Sequence, residues 1–112
     1  MTLEQIIAAL NLNPLTQPAH FERVQVTQGY ASDLLSRVLA EAPHQAIWVT
    51  LQAHVNVVAV AAVLELSAVI ITSGSRPDDE TIARANQEGM PLLLTETPTF
   101  QVVGQLWDLG VR

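Results

Sequence analysis

The chain has 112 residues, 49% of them hydrophobic, and a formal charge of -6. That length suits one domain with a modest core, and the acidic balance excludes the clustered Lys and Arg of a nucleic-acid surface. With no lysine and no cysteine, P-loop and Schiff-base lysines, polybasic membrane patches, disulfides, thiolate metal sites and cysteine nucleophiles are excluded too.

"TLEQIIAALNLNP" predicts a helix over about 2–13. Thr2 and Gln5 have capping-box spacing, Leu3, Ile6, Ile7 and Leu10 share a face, and Asn13 and Pro14 end it. "TQPAH" reads as a loop. "ERVQVTQ" alternates at Val24 and Val26, the pattern of a half-buried strand. After Gly29, "YASDLLSRVLAEAP" carries the stripe Leu34, Leu35, Val38 and Leu39, with Ser32 or an earlier residue as cap and Pro43 beyond its end. "AIWVTL" is a short buried-looking strand.

"HVNVVAVAAVLEL" is ambiguous on propensity, because its valines favour strands. Length decides: Ile47 to Ile71 is too long for one strand, and parallel strands need a crossover of about a dozen residues, so a helix is expected. The run is also shorter than the roughly 20 residues that span a bilayer. "AVIIT" is the next strand. In "SGSRPDDETIARANQEG", Ser75 and Asp78 resemble a capping box, Asp79 and Glu80 suit the helix dipole, and Gly89 closes the helix. "MPLLLTE" is a strand, and "TPTFQVVGQLWDLG" a final helix capped at Thr97 and stopped at Gly110.

This order predicts one α/β domain over 1–112. It is a small parallel-sheet domain of strand–helix repeats over about 22–110, preceded by an N-terminal helix. The central helix, apolar on every side, calls for burial on every side. Two readings stand: the sheet and neighbouring helices wrap it, or its outer face, with Val57, Val60, Ala61 and Leu64, meets a second copy in a homodimer. Parallel strands bring the loops after their carboxyl ends to one edge, where ligands bind and helix N-termini attract anions. The candidate ligand contacts there are Gln52, His54, Asn56, Gly74, Ser75, Arg76, Thr95, Glu96 and Thr97. His54 and Asn56 also read as capping or interface residues, Arg76 as a surface charge, and Asp78 to Glu80 as a solvated first turn rather than a metal site. Trp48 and Trp107 read as core or interface residues. Ser32, Asp33 and His44 supply the residue types of a triad without the positions. No catalytic residue, metal ligand or cofactor is assigned.

The segments "GYASDLLSRVL", "ITSG…P" and "GMPLLLTETPTF", in this order and spacing, resemble a DRTGG domain over nearly the whole chain, and the last two are also similar to the N-terminal domain of HPr kinase/phosphorylases, whose fold DRTGG domains are thought to share. The family's Asp-Arg element stands here as "QAHVN", as in small stand-alone members, and its Thr-Gly-Gly turn as Thr72-Ser73-Gly74. The resemblance implies a non-catalytic regulatory module. Such domains are attached to phosphotransacetylases and CBS-containing pyrophosphatases, assist dimerisation and lie near nucleotide-sensing regions. Some stand-alone members accompany iron-only hydrogenase genes. Kinase activity is rejected, since there is neither a Walker A sequence nor a lysine.

Three functions follow as expectations. The first is a homodimeric module sensing an adenine nucleotide or another anionic metabolite at the carboxyl edge. The second is a ligand-free interaction module docking on an enzyme partner. The third is an enzyme using His54 as a general base with Gln52 or Glu96 nearby. No nucleic acid and no membrane are expected as partners. The cytoplasm is the expected compartment, since "MTLEQIIAAL" has no basic residue and is no signal peptide.

Overall fold

In the computed structural model, which describes residues 1–112, Thr2 starts helix α1 (Leu3–Leu10) as its spacing implies. The Thr2 hydroxyl accepts the Gln5 N–H (3.2 Å), and the Gln5 side-chain oxygen accepts the Thr2 N–H (2.9 Å). The helix ends at Asn11, earlier than predicted, because this asparagine adopts the left-handed conformation at φ 54°. Asn13 and Pro14 then form a short strand, β1, which the sequence reading missed. It pairs antiparallel with β5 at a sheet edge, where a residue without an N–H is tolerated.

The alternation at Val24 and Val26 is real, with Val26 buried and Val24 half-buried, but it does not make a strand of the main sheet. Phe21–Arg23 is one turn of 3-10 helix. The extended residues after it pair with the chain's first residues: Leu3 N–H donates to Val24 C=O, and Val26 N–H to Met1 C=O, both at 2.8 Å. The first parallel strand is β2, Gly29–Ala31.

The remaining elements alternate as expected: α2 (Leu35–Glu41), β3 (Ile47–Thr50), α3 (Val55–Val63), β4 (Ala68–Ile71), α4 (Asp79–Glu88), β5 (Leu92–Leu94) and α5 (Thr99–Asp108). The sheet order is β1-β5-β4-β3-β2, with β2 to β5 mutually parallel. Every residue of β3 and β4 is buried, so both faces of the sheet are covered, as a parallel sheet requires. On one face Ile47, Val49, Ile70 and Leu93 pack with Leu3 and Ile6 of α1 and with Val102 and Leu106 of α5. On the other, Trp48, Val69, Ile71 and Leu92 pack with Val38 of α2, Val57, Val58 and Ala61 of α3, and Ala85 of α4. The result is three layers.

Helix α3 is the middle helix of its layer, in contact with both α2 and α4. That position corrects the expected interface: Val57 (1% exposed), Val60 (8%) and Ala61 (0%) are inside the protomer's own core. Leu64 is half-buried against the same cluster. The sheet and two neighbouring helices cover the helix on three sides, leaving Asn56, Ala59 and Val63 outward. Two cap positions shift, by three residues and by one. Asp78, not Ser75, caps α4, and Pro98 rather than Thr97 occupies the cap position of α5. In α2 only Val38 is buried, while Leu34 and Leu39 are exposed.

Two identical substitutions on α3 test its orientation. Val58→Ala removes two fully buried methyl groups and lowers stability by about 2 kcal/mol in urea unfolding. Val63→Ala, at a 74% exposed position, stays within about 0.5 kcal/mol of the parent.

Candidate functional site

Because β2 to β5 run parallel, the loops after Ala31, Thr50, Ile71 and Leu94 gather at one edge. Three buried threonines sit at or just past the strand ends: Thr50, Thr72 and Thr95. Each hydroxyl is engaged. Thr50 Oγ1 donates to Asp33 (2.8 Å) and accepts the Gln52 N–H (3.1 Å). Thr72 Oγ1 lies 2.7 Å from Thr99 Oγ1, and Thr95 Oγ1 accepts the Thr97 N–H (3.2 Å). Threonine suits these positions, since its branched side chain favours the strand while its hydroxyl satisfies the turn that follows.

Asp33 is the residue the sequence undervalued. One of its carboxylate oxygens accepts from Thr50 Oγ1 and from Leu51 N–H (2.9 Å), and its carbonyl accepts from the Gln52 side-chain amide (3.2 Å). Trp48 Nε1–H adds a bond to Ser32 C=O (2.8 Å). Together these fix the loop after β2 to the loop after β3. An aspartate just beyond one strand and a threonine closing the next was the available signal. Ser32, Asp33 and His44 form no triad, because His44 lies before β3, with Nδ1 on Leu64 C=O (3.1 Å).

The loop after β4 is stapled to the loop after β5. Ser73 N–H donates to Thr97 C=O (3.1 Å) and Gly74 N–H to Thr95 C=O (2.9 Å). Ser73 and Gly74 are both left-handed, at φ 59° and 68°. Gly74 has a second constraint: a Cβ there would run into the Glu96 carboxylate.

The predicted contacts are gathered at one edge but divided between two clefts. His54 and Arg76 line one of about 420 Å³ with Ala53, Val55, Asp78, Glu80 and Thr81. Thr95, Glu96 and Thr97 line another of similar volume with Asn11 and Asn13. Gln52 is tied to Asp33, while Gly74 and Ser75 form the turn after β4. Glu96 therefore does not share a cleft with His54. His54 caps α3: its Nδ1 accepts the Asn56 N–H at 3.1 Å, which leaves Nε2 free to carry the neutral ring's proton outward. Asn56 contributes only its backbone to this cap.

Arg76 differs from the other arginines. Arg23, Arg37 and Arg84 pair with Glu22, Glu41 and Glu88, and Arg112 lies over the Trp107 ring. Arg76 is exposed and has no hydrogen bond or ion pair. Asp78 is committed to α4, its Oδ1 accepting from Thr81 N–H (2.9 Å) and Thr81 Oγ1 (2.7 Å). The Thr81 hydroxyl bond, then the Thr81 backbone bond and the nearby His54, hold its carboxyl below the ordinary 3.8. No group of three His, Cys, Asp or Glu side chains is placed to hold a metal ion. No helix is long and apolar enough to cross a membrane.

Fold and edge together define a three-layer α/β domain with its polar loops gathered at the carboxyl ends of a parallel sheet. The sequence profile of the DRTGG domain matches residues 4–108, and the chain belongs to the DRTGG domain family. A solved structure of similar fold is that of the CBS and DRTGG domains of the regulatory region of Clostridium perfringens pyrophosphatase, complexed with an activator, diadenosine tetraphosphate. It superposes with a TM-score of 0.73 at 18% identity, covering 94% of this chain and 45% of that one. The chain thus spans less than half of that neighbour's length. No curated protein matches the chain significantly in sequence.

Two measurements check this edge. Gly74→Ala places a side chain in the left-handed region and lowers stability by about 1–2 kcal/mol in chemical unfolding. The Asp78 pKa is lower folded than unfolded, so its contribution is present above about 3.8 and is lost as pH falls through the depressed value. Asp78→Asn keeps a capping oxygen that does not titrate, so its melting temperature varies less than the parent's between pH 4 and roughly pH 2.

Proposed function

We propose that this chain is a non-catalytic regulatory module, acting in the cytoplasm, that senses an adenine nucleotide or a related phosphate-bearing metabolite in the His54–Arg76 cleft. The observation that carries the reading is Arg76, the unpaired arginine of an acidic chain, beside the outward His54 Nε2 at the carboxyl edge of a parallel sheet. The same cleft holds the carboxylates of Asp78 and Glu80. A bare anion would meet repulsion there. A nucleotide offers phosphate oxygens to Arg76 and His54 and hydroxyl or amino donors to the carboxylates. The fold shared with a pyrophosphatase regulatory region crystallised with a dinucleotide activator supports the choice of ligand class. A second reading, an interaction module acting without a small ligand, draws on the exposed Phe100 and Trp107 of α5.

Thermal unfolding against AMP, ATP, diadenosine tetraphosphate and pyrophosphate tests the ligand reading. A native-state binder at 100 times its Kd stabilises by about 2.7 kcal/mol, a shift of several degrees for a domain of this size. The nucleotides raise the melting temperature and pyrophosphate does not. Arg76→Ala abolishes the shift while leaving the unliganded protein within about 0.5 kcal/mol of the parent. An unchanged melting temperature at millimolar nucleotide contradicts the reading.

A further inference from the structure

The edge opposite the His54–Arg76 cleft, where the parallel strands begin, carries an opening of its own. The turns that enter β3, β4 and β5 meet there with the extended segment that follows the 3-10 turn. Together they line a cleft of about 460 Å³, within the roughly 300–1,000 Å³ of small-molecule sites. Its polar side chains are Arg23, Gln25, Gln45, Glu65 and Ser67, set around the apolar Leu66.

Ser67 is the anomaly of this cleft. Its N–H donates to Ala46 C=O (3.0 Å), but its hydroxyl is covered by protein and meets no donor or acceptor. It is the one buried side-chain polar atom of the chain without a hydrogen-bond partner. An orphaned hydroxyl carries the uncompensated loss of its hydration. The residue itself is half-buried and lines the cleft. A turn about χ1 between staggered positions therefore delivers the hydroxyl to a molecule seated there.

The two charges come from opposite layers. Arg23 belongs to the turn whose Phe21 packs in the layer of α1 and α5. Glu65 follows α3 between Leu64 and Leu66, which pack in the layer of α2, α3 and α4. Each makes only an exposed surface contact: Arg23 Nε lies 3.9 Å from Glu22, and Glu65 lies 3.5 Å from His44 Nε2. Pairs of that kind are weak and yield to a better-placed partner. Across the cleft the formal charges of Arg23 and Glu65 cancel. A phosphate or a dicarboxylate is repelled by Glu65, and a simple amine leaves Arg23 unmatched. A carboxylate and an ammonium on one small molecule satisfy both. The carboxamides of Gln25 and Gln45, which both donate and accept, suit a polar, uncharged group beside them.

We propose that this cleft binds a free α-amino acid with a polar, uncharged side chain. Its carboxylate meets Arg23, its ammonium meets Glu65, and the Ser67 hydroxyl turns onto it. The site shares no residue with the His54–Arg76 cleft and is independent of the nucleotide reading.

Amide NMR on the full chain titrated with L-glutamine tests this. The Gln25, Gln45 and Ser67 amide resonances shift and saturate below about 20 mM, well above a millimolar Kd, while those of His54 and Arg76 stay in place. N-acetyl-L-glutamine, which lacks the ammonium, and L-glutaminamide, which lacks the carboxylate, each bind at least about tenfold more weakly. Ser67→Ala keeps the backbone bond to Ala46 and removes only the orphan, so the unliganded variant melts at or above the parent temperature, yet it binds L-glutamine about tenfold more weakly. Arg23→Gln and Glu65→Gln weaken binding by a similar factor with the rest of the spectrum preserved, and Arg76→Ala leaves it unchanged. An absence of saturation at about 20 mM overturns the proposal. So does N-acetyl-L-glutamine binding as tightly as the free amino acid, or an affinity that Ser67→Ala, Arg23→Gln and Glu65→Gln all leave unaltered.

Discussion

The two-sided burial of β3 and β4 is the constraint on which the rest depends. Each residue of these strands faces one of two apolar layers, so Ile47, Val49 and Ile70 need one cover and Trp48, Val69 and Ile71 another. Strands taken in sequence order, each joined to its parallel neighbour by a helix, place α2, α3 and α4 on a single face. The opposite face must then be closed by what lies before and after the repeats, namely α1 and α5. The central position of α3 follows, and with it a helix that is almost wholly apolar in a chain without a membrane-length segment.

The same constraint builds the polar edge. Strands that are apolar almost to their ends must pass abruptly to loops, and the backbone groups released there need partners. Thr50, Thr72 and Thr95 supply hydroxyls at the transition, and Asp33 spans from the loop after β2 to the loop after β3. Gln52 is consumed in the same way, through its bond to the Asp33 carbonyl. Asn56, Ser73, Ser75, Glu96 and Thr97 keep unpartnered side chains there, and Arg76 is the one edge cation among those left free.

Elements were legible where one physical signal dominated. The capping box at Thr2 and Gln5, the left-handed Gly89 and the strands "AIWVTL", "AVIIT" and "MPLLL" follow from local rules. The length argument for α3 held because a parallel crossover has a minimum span. Misreadings arose where tertiary partners decide. Val24 and Val26 alternate because Val26 is buried, but their hydrogen bonds go to Met1 and Leu3, which no local pattern reveals. Gly29–Ala31 has weak strand propensity and becomes a strand by pairing with β3. The outward face of α3 was misplaced because an all-apolar helix carries no periodicity to mark it. Its neighbours α2 and α4 leave Val63 rather than Val57 or Val60 outside. The candidate site was found as an edge but not as two clefts, since Asn11 and Asn13 reach it from the far side of the sheet order.

Regulation requires that binding at one place alter another, through an element that both touch. Ser32 to Leu34 lies between the end of β2 and the loop that leads to His54. It continues directly from the Ala31 end of β2, the strand with the open edge, and its Asp33 holds Thr50, Leu51 and Gln52 at the head of the loop leading to His54. A ligand that drew His54 or Ala53 toward Arg76 would pull on Gln52 and so on Asp33. This short aspartate-centred junction ties the end of β2 to the head of the loop that leads to His54.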